Sequence, residues 1–100
     1  MVADDAFTLS RSTPATLAVS GVLGFATAAS ALLDLNEALR AGDRSQIDLA
    51  GVRASDSAGL ACVLAVLAEA RGRGQAVSLL HVPEGMRTLA QVSGVEVLLT

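Results

Sequence analysis

A hydroxyl and a carboxylate stand side by side in the segment Asp56-Ser57-Ala58-Gly59-Leu60, between two apolar stretches. An aspartate at this spacing favours the start of a helix, because its side chain accepts hydrogen bonds from N–H groups two or three residues further on. The unpaired N–H groups there carry partial positive charge, which favours a phosphate on Ser57, whereas the neighbouring Asp56 carboxylate would repel one. Two roles therefore stay open for this pair, a helix cap alone or a binding contact.

Catalytic and metal-binding chemistry has little support elsewhere in the chain. There is one histidine, His81, and one cysteine, Cys62, which excludes an internal disulfide, a two-histidine zinc motif and a multi-cysteine metal site. A serine nucleophile needs an adjacent base, and His81 falls on a different element, where we expect a packed or hydrogen-bonded strand residue. Gly72 and Gly74 follow a helix, whereas a phosphate loop precedes one. We expect no catalytic residue, no metal and no cofactor.

Composition narrows the class of partner. The chain has 100 residues, 52% of them hydrophobic and 2% aromatic, and a formal net charge of −3. This length predicts one domain, residues 1–100. The seven basic residues are all scattered arginines, so neither a basic stripe nor aromatic platforms point to nucleic acid. The longest apolar run, residues 60–68, is about half of a membrane span, and the acidic N-terminus is unlike a signal peptide. We expect a cytoplasmic protein that reaches a membrane only through a partner.

The first half of the chain predicts a hairpin and a helix. Residues 7–10 and 15–20 alternate like strands, with a turn at 12–14 between them and Gly21 as the end of the second. The period then changes to steps of three and four, which predicts an amphipathic helix that stops near Gly42. The buried stripe of that helix is predicted to be Phe25, Ala28, Leu32, Leu35 and Leu39.

The second half predicts alternating strands and helices. A strand at 45–50 has Ile47 and Leu49 inward, and the helix capped by Asp56 runs to about Arg73. Residues 75–82 are apolar on both faces, which predicts a central strand. Pro83 then opens a third helix, and residues 95–99 form a possible last strand. The apolar side of the third helix is predicted to be Met86, Leu89, Ala90 and Val92. The fold class is α/β, a mixed sheet with an N-terminal hairpin and three or four helices packed on it.

The second helix has more apolar residues than one buried stripe needs. Leu60, Val63, Leu64 and Leu67 form a sufficient stripe, which leaves Ala61, Cys62, Ala65 and Val66 over. Either this helix is buried more deeply, or the small residues form a face on which a partner docks, with Arg53, Glu69 and Arg87 at its rim.

The chain resembles the STAS domain, which is shared by bacterial anti-sigma factor antagonists, sulfate-transporter tails and an accessory subunit of the Mla lipid-transport complex. The resemblance covers nearly the whole chain and is strongest in residues 47–52 and in Asp56-Ser57-Ala58-Gly59-Leu60. Residues 19–21, 82–83 and 89–95 support it. In the antagonist branch the motif is Asp-Ser-Ser-Gly-Leu, and its second serine is phosphorylated. Ala58 occupies that position here and cannot accept a phosphate, whereas the Mla-type pattern fits, with Ser57 as its hydroxyl residue.

The resemblance implies a non-catalytic subunit that binds the cytoplasmic ATPase of an Mla-type phospholipid ABC transporter, peripheral to the inner membrane through that partner. The alternative is an anti-sigma factor antagonist in a partner-switching pathway, phosphorylated on Ser57 by an anti-sigma factor kinase. A subunit of a larger sensory assembly is a third option. The residues expected to bind the partner are Arg53, Asp56, Ser57, Ala58, Ala61, Cys62, Ala65 and Arg87.

Overall fold

The computed structural model describes residues 7–42 and 44–99, apart from the side chain of Ser12. Four strands form one sheet in the order β1-β2-β3-β4, in which β1 and β2 are antiparallel and the other two pairs are parallel. In chain order the elements are β1 (Phe7–Thr13), β2 (Thr16–Leu23), α1 (Ala28–Arg40), β3 (Gln46–Ser55), α2 (Ser57–Gly72), β4 (Ser78–Leu80), α3 (Glu84–Val92) and a 3₁₀ helix (Glu96–Leu99). This is a mixed α/β sheet with an N-terminal hairpin, so the predicted fold class is confirmed.

The core lies between one face of the sheet and the helices. Alternation along β2 and β3 puts Leu17, Val19, Ile47 and Leu49 into it, while Ala18 faces solvent. The helices contribute their own buried side chains, among them Leu35, Leu39, Val63, Val66 and Met86. The hydrophobic effect over this shared surface is what holds the helices on the sheet.

The parallel pairing gives the molecule two distinct ends. Helix α2 begins directly after β3, so its N-terminus lies at the carboxyl end of the sheet. Its 16 residues extend about 24 Å, which brings its C-terminus back toward the start of β3. There the Gln75 side-chain amide donates to the carbonyls of Leu39 and Arg44. The two ends are therefore fixed relative to each other by a single rigid helix.

An arginine holds the tip of the hairpin at the second of these ends. Arg44 Nη1 donates to the carbonyls of Thr13, Pro14 and Thr16 at 2.8, 3.1 and 3.1 Å. Because these carbonyls lie in and beside the β1–β2 turn, Arg44 ties the hairpin to the segment that leads into β3.

Several strand predictions are wrong. Strand β4 has three residues and lies at the edge of the sheet, where it pairs with β3, whereas residues 75–82 were expected to be a central strand. It stops before His81, whose φ of 56° is left-handed. Strand β2 does not end at Gly21, because its pairing with β3 continues through irregular register to Leu23. The segment expected as a last strand is the 3₁₀ helix, in which the Leu98 N–H donates to the Val95 carbonyl.

Two helix predictions also fail. Phe25 was expected in the buried stripe of α1, yet it is 88% exposed, because α1 begins only at Ala28. The turn ahead of it is closed by Thr27, whose hydroxyl accepts from the Gly24 N–H and donates to the Val22 carbonyl. Val92 was expected on the apolar side of α3, but it is 83% exposed at the last turn of that helix.

Candidate functional site

The Asp56 carboxylate joins the start of α2 to the loop before α1. Its Oδ1 accepts from the N–H groups of Ala58 and Gly59, at 2.9 and 3.1 Å, so the predicted cap is confirmed. Its Oδ2 accepts from the Phe25 N–H at 3.1 Å. The Gly59 hydrogen bond, followed by that of Phe25, lowers the pKa of Asp56 below its ordinary value. The carboxylate is thus a fixed structural anion, with little basicity for proton transfer.

Ser57 is the first residue of α2, and it is exposed beside this cap. Within residues 7–42 and 44–99 no hydrogen bond occupies its hydroxyl, and no imidazole or free carboxylate is positioned to take its proton. The geometry leaves the Ser57 hydroxyl accessible at the surface. It does not assemble a nucleophile with its base.

Glycine at position 59 sets how close α2 comes to the sheet. A Cβ added there would lie 2.0 Å from the Leu23 carbonyl oxygen and 2.8 Å from its carbon. No side chain fits in that space, so the first turn of α2 packs directly on the end of β2. The same contact fixes Ser57 relative to the loop that carries Phe25.

An apolar groove of about 380 Å³ runs between α1 and α2 next to Ser57. Its floor includes Cys62, which is 4% exposed and whose thiol pKa is raised by burial. Ala61 is exposed and Ala65 is half-buried at the surface of the same helix. Cys62 thus belongs to the core, while the two alanines remain accessible. The groove is lined by Ala28, Ala29, Leu32, Ala58, Ala61, Cys62 and Ala65.

Two large apolar side chains that the sequence did not predict to be exposed lie close to the groove residues of α1 in the chain. Phe25 precedes α1, and Leu33, one helical turn after Ala29, is 70% exposed. The sequence signal for Phe25 is its position between Gly24 and Thr27, a turn-forming pair that delays the helix. The apolar groove therefore begins next to Ser57, at Ala58, and exposed apolar surface of this kind is typical of interfaces.

The groove ends at a pair of polar side chains, of which the sequence predicted Glu69 at the rim but did not reveal Asn36. The buried Asn36 side chain of α1 donates from Nδ2 to Glu69 Oε2 of α2. Asn36 and Glu69 lie one turn beyond the groove residues Leu32 and Ala65. The pair connects the two helices and closes the apolar surface at that end.

The arginines predicted at the rim lie on other elements. Arg53 is exposed and is the extra residue of a β3 bulge, because its neighbours Val52 and Ala54 pair with consecutive residues of β2. Arg87 lies on α3, with Nη1 4.0 Å from Glu96 Oε2. The apolar residues of the groove therefore lie together on α1 and α2, whereas Arg53 and Arg87 lie on β3 and α3.

Asp48 of β3 is hydrogen-bonded to the backbone and to the histidine after β4. Its Oδ1 accepts from the Ala50 N–H at 2.9 Å and lies 2.9 Å from His81 Nδ1. The Ala50 hydrogen bond first, then that of His81, lowers the pKa of Asp48. His81 is hydrogen-bonded, as the sequence predicted, but it lies directly after β4 and not in a strand.

The described residues contain no group of three or more metal-ligating side chains close together. Among them no helix has both the length and the apolar character that crossing a bilayer requires.

A family model described as "Mlab, STAS domain" matches residues 8–100. The chain belongs to the STAS family. Two solved structures similar to this STAS domain are those of SpoIIAA, an anti-sigma factor antagonist in its unphosphorylated form and a Bacillus cell fate determinant in its phosphorylated form. A search of curated proteins finds no sequence match.

The similarity to SpoIIAA is one of fold. The unphosphorylated structure aligns with a TM-score of 0.69 and 21% identity, over 94% of this chain and 85% of SpoIIAA. The phosphorylated structure aligns with a TM-score of 0.65 and 24% identity, over 89% and 84% respectively. The STAS domain thus has the architecture of an anti-sigma factor antagonist, with Ala58 beside its single motif hydroxyl.

Proposed function

We propose that this STAS domain is a non-catalytic subunit that binds the cytoplasmic ATPase of an Mla-type phospholipid ABC transporter and supports or regulates its assembly and activity. The family model, with its Mla-type description, supports this branch of the family. The observation that carries a binding role is the exposed apolar surface around Ser57, formed by Phe25, Leu33 and the groove.

Phe25 is the residue with the most to gain from a partner. Its backbone is held by Asp56, so the side chain is presented at a defined place. Complete burial of a phenylalanine contributes about 1.5–3 kcal/mol, the size of a dominant interface contact. The alanines beside it add little area each, but they let a partner helix approach closely.

A subunit of this kind regulates by preferring one state of its partner. If it binds one conformation of the ATPase more tightly than another, it shifts the ATPase population toward that conformation. No chemistry at Ser57 is needed, and Ala58 leaves the motif with one hydroxyl instead of two.

A pull-down with the Mla-type ATPase of the same organism tests the proposal. Ser57→Arg places a long charged side chain at the centre of the contact and is expected to abolish capture. Ser93→Arg is the matched control, because Ser93 is an exposed serine that follows α3. Phe25→Ser is expected to weaken capture at least tenfold, by the transfer free energy above. Capture of Ser57→Arg at the wild-type level would place the interface elsewhere.

The second candidate is an anti-sigma factor antagonist. It is favoured by the likeness to SpoIIAA and by the accessible Ser57 hydroxyl at a helix start, where a phosphate is electrostatically favoured. Incubation with a kinase-type anti-sigma factor and ATP, followed by mass spectrometry, tests it. A phosphate on Ser57 that is absent from Ser57→Ala would favour this candidate over the ATPase subunit.

A further inference from the structure

Arginines gather at the end of the molecule remote from Ser57. A cleft of about 680 Å³ lies between the end of α1, the start of β3 and the loop after α2. Arg40, Arg44 and Arg73 line it, and among the described residues that line it none is acidic. Its volume is in the range of pockets that hold small molecules.

Two of these arginines are held in place by neutral groups. Arg44 donates to backbone carbonyls of the hairpin, and Arg73 Nη2 donates to Gln75 Oε1 at 3.0 Å. Gln75 is itself held by the carbonyls of Leu39 and Arg44. The charges of Arg44 and Arg73 are thus positioned by hydrogen bonds that do not neutralise them. Because backbone carbonyls occupy both Nη atoms of Arg44, this residue supplies charge, while the exposed Arg40 and Arg73 supply N–H donors.

The positive charge of the arginines at the cleft exceeds the partial negative charge of the helix C-termini that lie there. Helices α1 and α2 end there, and each contributes roughly −0.5 of a charge. Within residues 7–42 and 44–99 no carboxylate oxygen lies within 4 Å of these three guanidinium groups. Three arginines therefore exceed the two helix ends by about two charges. Asp43, which precedes Arg44 in the sequence, lowers this formal excess to about one. Arg71, which lines the adjoining groove, adds another positive charge.

We propose that this cleft binds a phosphate-bearing anion, either a small phosphorylated molecule or the phosphate of a lipid headgroup. Guanidinium groups are the protein side chains best suited to phosphate oxygens, because their fork of N–H donors matches the oxygen spacing. A formal net charge of −3 disfavours anions overall, so a local cluster of arginines is needed to attract one. The inference is independent of the ATPase proposal, since α2 separates the two sites by about 24 Å.

Titration with pyrophosphate at low ionic strength, followed by ¹H–¹⁵N NMR, tests the site. The largest shift changes are expected at the backbone amides of Gly42, Ser45 and Gly74, which line the cleft. The double variant Arg40→Gln/Arg73→Gln is expected to weaken binding about tenfold or more, since each charged hydrogen bond contributes substantially. Arg44 is left in place because it holds the hairpin. The control is Arg53→Gln/Arg87→Gln, which removes the same charge elsewhere and is expected to bind as the wild type does.

A second arm identifies the source of the phosphate. Vesicles of phosphatidylglycerol and phosphatidylcholine are sedimented with the wild type and with both double variants. A lipid headgroup is indicated if the wild type and the Arg53/Arg87 control sediment with phosphatidylglycerol vesicles but not with phosphatidylcholine vesicles, the Arg40/Arg73 variant does not, and pyrophosphate reverses the sedimentation. Pyrophosphate binding without sedimentation indicates a small phosphorylated ligand, and either result supports the site. The proposal is overturned if the wild type binds neither probe, or if the control pair weakens binding as much as the cleft pair.

Discussion

Gly59→Ala tests whether the close approach of α2 to β2 is needed. The added Cβ would meet the Leu23 carbonyl oxygen at 2.0 Å, where an ordinary contact needs about 3.4 Å, so helix and strand must separate by about 1.4 Å. Overpacking of this kind costs about 1–3 kcal/mol, and backbone atoms on both sides favour the upper limit. Alanine recovers about 1 kcal/mol of helix propensity. The net loss is therefore about 2 kcal/mol, a decrease in Tm of about 8–16 °C for a chain of this size.

Gly72→Ala is the matched control for this experiment. It lies at the other end of the same helix, and nothing is within 4 Å of the position its Cβ would take. Its Tm is expected to equal or slightly exceed that of the wild type, as measured by thermal unfolding followed by circular dichroism. If Gly59→Ala proves as stable as Gly72→Ala, the packing of α2 on β2 is not the constraint inferred here.

Three further predictions concern the cap, the turn after β4 and the core. Asp56 has a folded pKa below its ordinary value, so the stabilisation of the fold by its carboxylate is complete above about pH 4 and is lost as pH falls through the folded pKa. The Tm difference between wild type and Asp56→Asn should therefore shrink from pH 5 to pH 2. A constant difference would refute a role for the charge. His81→Gly should be more stable to urea than His81→Ala by about 1 kcal/mol, because both lose the contact with Asp48 and only glycine relieves the positive φ; equal stabilities would count against strain at this residue. In the same urea experiment, Leu17→Ala should lower the free energy of unfolding by about 2–5 kcal/mol. Leu33→Ala, at an exposed position, should change it by no more than about 0.5 kcal/mol. Similar losses for the two variants would contradict the assigned core.

The features that could be predicted from the sequence depend on residues close together in the chain. The Asp56 cap depends on one side chain and on N–H groups two and three residues away, so spacing alone was sufficient. Alternation likewise identified Ile47 and Leu49, because a strand with one buried face repeats every two residues.

Features that depend on distant parts of the chain were not predictable. The apolar period runs through Phe25 without a break, and only the contacts of Thr27 and Asp56 with the preceding turn exclude it from α1. The edge position of β4 depends on strand order, which no local pattern encodes. Arg40, Arg44 and Arg73 are scattered in sequence, and they meet only because two helices end where β3 begins.

The burial of Cys62 gives the protein an intrinsic reporter of its own fluctuations. Alkylating reagents attack the thiolate, and both the packing around this sulfur and its raised pKa withhold that species in the closed molecule. Because this is the chain's single cysteine, every modification event records an opening of the core around this one thiol. Labelling kinetics would therefore report on such openings with no engineered probe.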